Sequence, residues 1–95
     1  MSKPPLRLER AHRFEKDYAK LTEKIPKIRN ELIEIIDQLI SRQPLNPNQR
    51  DHALKGNLKG LRDCHVRGDV VLLYAIENDE ILILYRIGTH SDLGL

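Results

Sequence analysis

Five polar side chains in the second half of the chain carry the groups that metal-free cleavage of RNA requires: His52, His65, Asp69, Arg86 and His90. An imidazole titrates near neutrality, so it gives and takes a proton at physiological pH. One such group removes the proton of a ribose 2′-hydroxyl and a second protonates the departing 5′-oxygen. A fixed cation then holds the charge of the five-coordinate phosphate. An aspartate orients a histidine, raises its pKa, or acts as the base itself. Composition alone is weakly specific. His52 also reads as a solvated loop residue and His65 as a hydrogen-bonded strand histidine. Asp69 reads as a turn former, Arg86 as a strand-end charge and His90 as an anchor of the tail.

These residues act together only if the fold gathers them. Leu6 and Leu8 alternate with Arg7 and Glu9, which predicts a short first strand. From Ala11 the apolar period lengthens through Phe14, Tyr18, Leu21 and Ile25, as in an amphipathic helix. Pro26 stops that helix and suits the first turn of a second one, whose stripe runs Ile28, Leu32, Ile35, Ile36, Leu39, Ile40 and ends near Arg42. The short link predicts that the two helices pack as a hairpin. Residues 44–56 read as irregular. Leu61 to Val66, Val70 to Ile76 and Ile81 to Ile87 read as a three-stranded meander turning at Arg67-Gly68-Asp69 and at Asn78-Asp79. Gly88 to Leu95 reads as a tail. The expected fold is α+β, ordered β-α-α-β-β-β, with two N-terminal helices on one face of a mostly antiparallel sheet. Alternation puts Leu61, Asp63 and His65 on one face and Arg62, Cys64 and Val66 on the other, and groups Leu82, Leu84 and Arg86. A meander brings neighbouring strand ends together, so the five polar residues are expected at one sheet edge.

Composition narrows the function classes. Ninety-five residues make room for one domain, 1–95, with one core. A single cysteine, Cys64, excludes an intrachain disulfide and favours a reducing compartment. The longest apolar run, Val70 to Ile76, is too short to span a bilayer, and the N-terminus has no apolar signal core. A cytoplasmic protein is the expectation. Residues 1–50 carry eleven Lys/Arg against seven Asp/Glu and residues 51–95 carry five against seven, for a net charge of +2. That balance permits a polyanionic partner without demanding one. Lys55, Lys59, Arg62 and Arg67 flank the histidines and are candidates for pinning RNA phosphates, with a solvated loop as the alternative. Zinc ligation by Cys64, His65, His52 and His90 is disfavoured, because paired ligand spacing is absent and Cys64 and His65 face opposite ways. No metal and no cofactor is expected.

The segment DHALKGNLKGLRDCHVRGDVVLLYAIENDEILILYRIGTHSDL resembles the C-terminal half of the YafQ toxins, a branch of the RelE superfamily of bacterial toxin–antitoxin systems. The shared features are a DHxLxG segment at Asp51–Gly56, an RDxHVxxD segment at Arg62–Asp69 and an RxGTHxxL segment at Arg86–Leu93, in matching order and spacing. The resemblance implies a RelE-like fold and a type II toxin that cleaves mRNA without metal, commonly on the ribosome. It also implies a cognate antitoxin that blocks the toxin, with operator DNA contacted only through that antitoxin. It carries acid–base roles to Asp69 and His90, proton transfer or phosphate binding to His52 and His65, and charge stabilisation to Arg86. The chain departs from many relatives in having Val70 where an aromatic follows the turn aspartate, and Leu93-Gly94-Leu95 at its end. The rival readings are a non-catalytic binding module acting with an antitoxin in autoregulation, and a nuclease acting on free RNA.

Overall fold

The computed structural model describes residues 3–95. Strand β1 (Arg7–Arg10) is followed by helices α1 (His12–Lys24) and α2 (Ile28–Ile40). Strands β2 (His52–Ala53), β3 (Arg62–Arg67), β4 (Val70–Glu77) and β5 (Ile81–Thr89) come next, and a one-turn helix α3 (His90–Leu93) ends the chain. The sheet order is β1-β5-β4-β3-β2, with β1 parallel to β5 and every other pair antiparallel. The expected α+β arrangement is present, with two additions. His52-Ala53 forms an edge strand, and the tail closes into α3. Neither has a hydrophobic pattern. β2 is an exposed pair of residues recruited by backbone pairing to β3, and α3 is held by a reciprocal Thr89–Asp92 cap.

Each helix buries the stripe its period predicts. Phe14 and Leu21 on α1, and Ile28, Leu32, Ile35 and Leu39 on α2, pack onto Cys64, Leu72, Tyr74, Leu82, Leu84 and Ile87 of the sheet. The helices cover different strands, α1 over β5 and α2 over β3, and touch each other little. The two arms of the expected hairpin therefore diverge over the sheet. Pro26 lies in the turn before α2 rather than inside its first turn. Tight turns set the register. Asn78 and Asp79 both take left-handed φ, +52° and +57°, at the β4–β5 turn. Gly68, at φ +48°, does the same between β3 and β4.

Two irregularities shape the far face. The β3–β4 register shifts between His65 and Arg67, so Val66 is the extra residue. The β4–β5 register shifts where Leu73 pairs with Arg86 and Tyr74 with Leu84, leaving Tyr85 extra. That bulge corrects the expectation that Leu82, Leu84 and Arg86 share a face. Leu84 and Ile87 both enter the core, and Arg86 is freed from it. The face away from the helices is not bare. Val71, Leu73 and Ala75 are buried there and form an apolar floor beneath the polar residues described next.

Candidate active site

Strand pairing places the candidate residues in rows. His52 pairs with Asp63, Asp63 with Leu73, and Leu73 with Arg86, so these four share one row across β2, β3, β4 and β5. In the neighbouring row His65 pairs with Val71 and Val71 with Gly88. Asp69 sits in the β3–β4 turn and His90 opens α3, so both arrive at the same corner. Gly88 permits the close approach of α3, because a Cβ there would lie 3.2 Å from the Asp92 Cβ.

The corner contains a linked set. His90 Nδ1 lies 2.5 Å from Asp69 Oδ1, and the His65 and His90 rings are 5.3 Å apart, tilted by 56°. The Asp69 carboxylate accepts from Nδ1–H, which leaves His90 Nε2 free to take a proton. The pair is wet, with side chains 34% exposed for His90 and 61% for Asp69. Asp63 lies behind it at 2% exposure, and among the described residues its Oδ1 has no hydrogen-bond partner. Ligand atoms of Asp63, His65 and His90 all fall within 4.8 Å of one another. This set can exchange protons, and it can also hold a divalent ion. Cys64 is indeed on the opposite face, fully buried, and burial pushes its thiol up to about 12, so it is neither ligand nor nucleophile.

The remaining candidates are spread out. His52 is exposed on the edge strand, with Nδ1 2.7 Å from the Arg50 carbonyl oxygen, which leaves Nε2 outward. Three strand spacings, roughly 14 Å, separate the His52 and Arg86 backbones, so these two bracket the histidine pair rather than join it. Arg86 is turned towards α1. Its Nε donates to Asp17 Oδ2 at 2.7 Å and its Nη2 to Asp17 Oδ1 at 3.1 Å, a forked pair that raises the guanidinium pKa. Asp17 Oδ2 also accepts the Ile87 N–H at 3.2 Å, on the edge of β5 that β1 leaves uncovered beyond Leu84.

The basic candidates divide. Arg67 remains beside His65, with Nε 2.8 Å from Glu31 Oε1 of α2. Lys55 and Lys59 are exposed in the β2–β3 connection. Arg62 does not join the cluster. It pairs with Tyr74 on the helix side of the sheet, and its Nε donates to Asp51 Oδ1 at 3.1 Å. Tyr74 Oη donates to the same oxygen at 2.6 Å. Burial, then the Asp51 bond, push the Tyr74 phenol up, and the Asp51 bond raises Arg62. Sequence reasoning missed Asp63 and Asp17 as members of these networks. Alternation put Asp63 on the His65 face, but nothing in the sequence links Asp17 to a strand sixty-nine positions away.

Residues 6–94 match the family model described as bacterial toxin of type II toxin–antitoxin system, YafQ. The chain belongs to that family. It is 38% identical over 87 residues to the mRNA interferase toxin YafQ of Escherichia coli K12, covering 90% of this chain and 92% of the relative. The YafQ chain of the E. coli DinJ–YafQ toxin–antitoxin complex superposes with a TM-score of 0.80 at 37% identity, covering 94% of this chain and 97% of that one. A metal-bound Helicobacter pylori toxin gives a TM-score of 0.84 at 38% identity over 93% of this chain and 98% of that one. The family is one of endoribonuclease toxins, and this chain is a toxin of that class. Among the described residues no helix is long and apolar enough to cross a membrane.

Proposed function

We propose that this 95-residue domain cleaves mRNA by in-line attack of a ribose 2′-hydroxyl on the adjacent phosphate, leaving a 2′,3′-cyclic phosphate and a 5′-hydroxyl. The observation that carries the reading is the contact of His90 with Asp69 and the facing ring of His65 on an exposed sheet corner. Asp69 fixes the tautomer of His90, so Nε2 is available for proton transfer at one end of the reaction. His65 lies close enough to serve the other end or to donate to a phosphate oxygen. Arg86, held rigid by Asp17, places the remaining Nη hydrogens for the phosphate charge. His52 and Lys55, Lys59 and Arg67 serve RNA binding along the edge. Arg62 is left out, because its guanidinium is committed to Asp51 on the other face.

The reading extends to partners. The cytoplasmic ribosome presents the messenger, and a cognate antitoxin blocks the corner and alone contacts operator DNA. The E. coli complex with DinJ supports the antitoxin half of this statement. A divalent ion bound by Asp63, His65 and His90 would take the same imidazole lone pairs that move protons. We therefore expect ions to inhibit, and EDTA to leave cleavage intact. The central test maps messenger ends after adding purified protein to translating ribosomes and to naked transcript. Cuts with a 5′-hydroxyl that vanish in folded His90→Ala support the reading. Equal cutting by that variant overturns it.

A further inference from the structure

We infer that the recess between α1 and α3 holds the strand phosphate next to the one being cut, gripped by Lys20 and Lys24. The inference rests on the nuclease reading above and adds what the catalytic corner lacks, a hold on the chain beyond the reacting atoms. The recess has a volume of about 430 Å³. Buried Leu21, Val70 and Ile87 form its floor, and Lys20, Lys24 and Arg86 stand on its walls.

The recess adjoins the corner through shared elements. α3 supplies His90 to the pair with Asp69 and, two residues later, Asp92 to the recess. Arg86 belongs to both. It pairs with Leu73 of the far-face floor, and its side chain crosses the edge of β5 to Asp17 on α1. β1 pairs with β5 only as far as Leu84, so no strand blocks that edge. Two of its N–H groups, on Ile87 and Thr89, are already taken by Asp17 and Asp92, which disfavours pairing with another strand of protein there. A nucleic-acid chain leaving the corner around this edge meets the recess next.

The charges of the recess differ in how far they are committed. Both Asp17 oxygens are engaged by Arg86, and Asp92 accepts the Thr89 N–H at 3.2 Å. The bonds to Thr89 hold the Asp92 carboxyl below its ordinary value, and Lys24 and Arg86 add to that shift. Lys20 and Lys24, by contrast, make no ion pair among the described residues. They lie one turn apart on α1, and a like-charged pair at that spacing weakens a helix. Lys24 also suits the negative end of the α1 dipole, but Lys20, a turn earlier, gains little from it. An anion seated between the two ammonium groups removes their repulsion, and the apolar floor strengthens the field above it. Lysine is a compact point charge with three rotatable donors, which suits a backbone phosphate held without regard to sequence.

The experiment measures cleavage of strands that carry one neutral methylphosphonate linkage at varied distance from the cut, free and on programmed ribosomes. The wild type is expected to slow about tenfold when one fixed linkage next to the cut is neutral. The double variant Lys20→Ala/Lys24→Ala should slow by a similar factor on the normal strand and lose nothing further when that linkage is neutral. Lys20→Arg/Lys24→Arg, which keeps both charges, should restore the dependence on that linkage. Binding is read separately by NMR titration with a 2′-O-methyl RNA hexamer, which lacks the nucleophile. Signals of residues 20–24 and 86–92 should shift in the wild type, and the slope of log affinity against log salt should be smaller by about 0.7 in the double alanine variant. Additive losses for lysines and linkage would put the lysines on other RNA, such as that of the ribosome, and overturn the site while leaving the nuclease standing. Hexamer shifts that spare α1 would do the same. A wild type that cuts neither strand overturns both.

Discussion

Strand β3 carries two polar clusters back to back, one on each face of the sheet. On the helix side, Asp51 Oδ1 receives Tyr74 Oη and Arg62 Nε, and the tyrosine is almost wholly buried. On the other side, Asp63 is equally buried but has an oxygen with no partner among the described residues, and the Asp69–His90 pair in front of it is open to water. The chemistry available to the two sets is similar in kind: carboxylates, cations and titratable rings. What differs is completeness. A buried polar group that finds its partners stiffens a scaffold, whereas one left short has capacity in reserve for something that arrives. On the proposed reading, the difference separates structural from functional residues within a strand of six residues, where residue type alone could not.

The contrast is broken most directly by His90→Ala. Removing a positioned acid–base group should cut the cleavage rate by about 10²–10⁴-fold. Because the ring is partly solvated and bonded only to an exposed aspartate, the thermal midpoint should hardly move. Rapid-quench cleavage of end-labelled RNA, with calorimetry on the same preparation, checks both halves. Asp17→Ala should come next. It frees the Arg86 fork and should slow cleavage by about tenfold or more, short of the 10²–10³-fold typical of losing a charge-stabilising donor outright. A double-mutant cycle with Arg86→Ala reads the coupling: non-additive losses are expected, and additive ones would separate Asp17 from the chemistry.

The helix-side network gives the opposite signature. Asp51→Ala strands a buried tyrosine hydroxyl and an arginine, so stability should fall by about 1–3 kcal/mol, measured by urea unfolding. Cleavage per folded molecule should stay near the wild-type rate. Asp63→Asn sharpens the comparison, since the oxygen it alters has no partner to lose. Its unfolding midpoint should drop less than that of Asp51→Asn. The reverse order would mean that completeness of hydrogen bonding does not separate the two clusters.

Much of this arrangement was legible in the sequence, and the limits have physical causes. The two helices and the three long strands follow from apolar period, because each buries a continuous stripe. The left-handed turns at Asn78-Asp79 and Gly68 follow from residue type. β2 was not legible, since two exposed residues make no pattern and only backbone pairing to β3 defines them. The Tyr85 bulge was not legible either, and it misplaced Arg86, because one extra residue reverses alternation without altering composition. Alternation correctly put Asp63 with His65 and Arg62 on the other face, yet sequence proximity still offered Arg62 as an RNA contact. The convergence of Asp69 with His90 followed from the meander, which brings their strand ends together, whereas Asp17 with Arg86 needed coordinates, since tertiary partners leave no local trace.

The smallest expected effect concerns pH, and its sign follows from Tyr74. Burial, then the bond to Asp51, hold its phenol above the ordinary value near 10. An acidic group whose folded pKa lies above its unfolded one favours the native state fully below the unfolded value. That contribution declines as the pH rises beyond it, because the unfolded chain releases the proton first. Wild type and Tyr74→Phe share every other titrating group, so the gap between their urea midpoints isolates this hydroxyl. The gap should be constant from pH 7 to 9 and narrow from about pH 10 upward. The exposed corner should show no such gap between wild type and His90→Ala over the same alkaline range, since no buried phenol lies in it. A Tyr74 gap of constant width through pH 11 would mean that ionisation costs the helix-side network nothing, and the distinction between a closed scaffold and an open site on β3 would lose its electrostatic half.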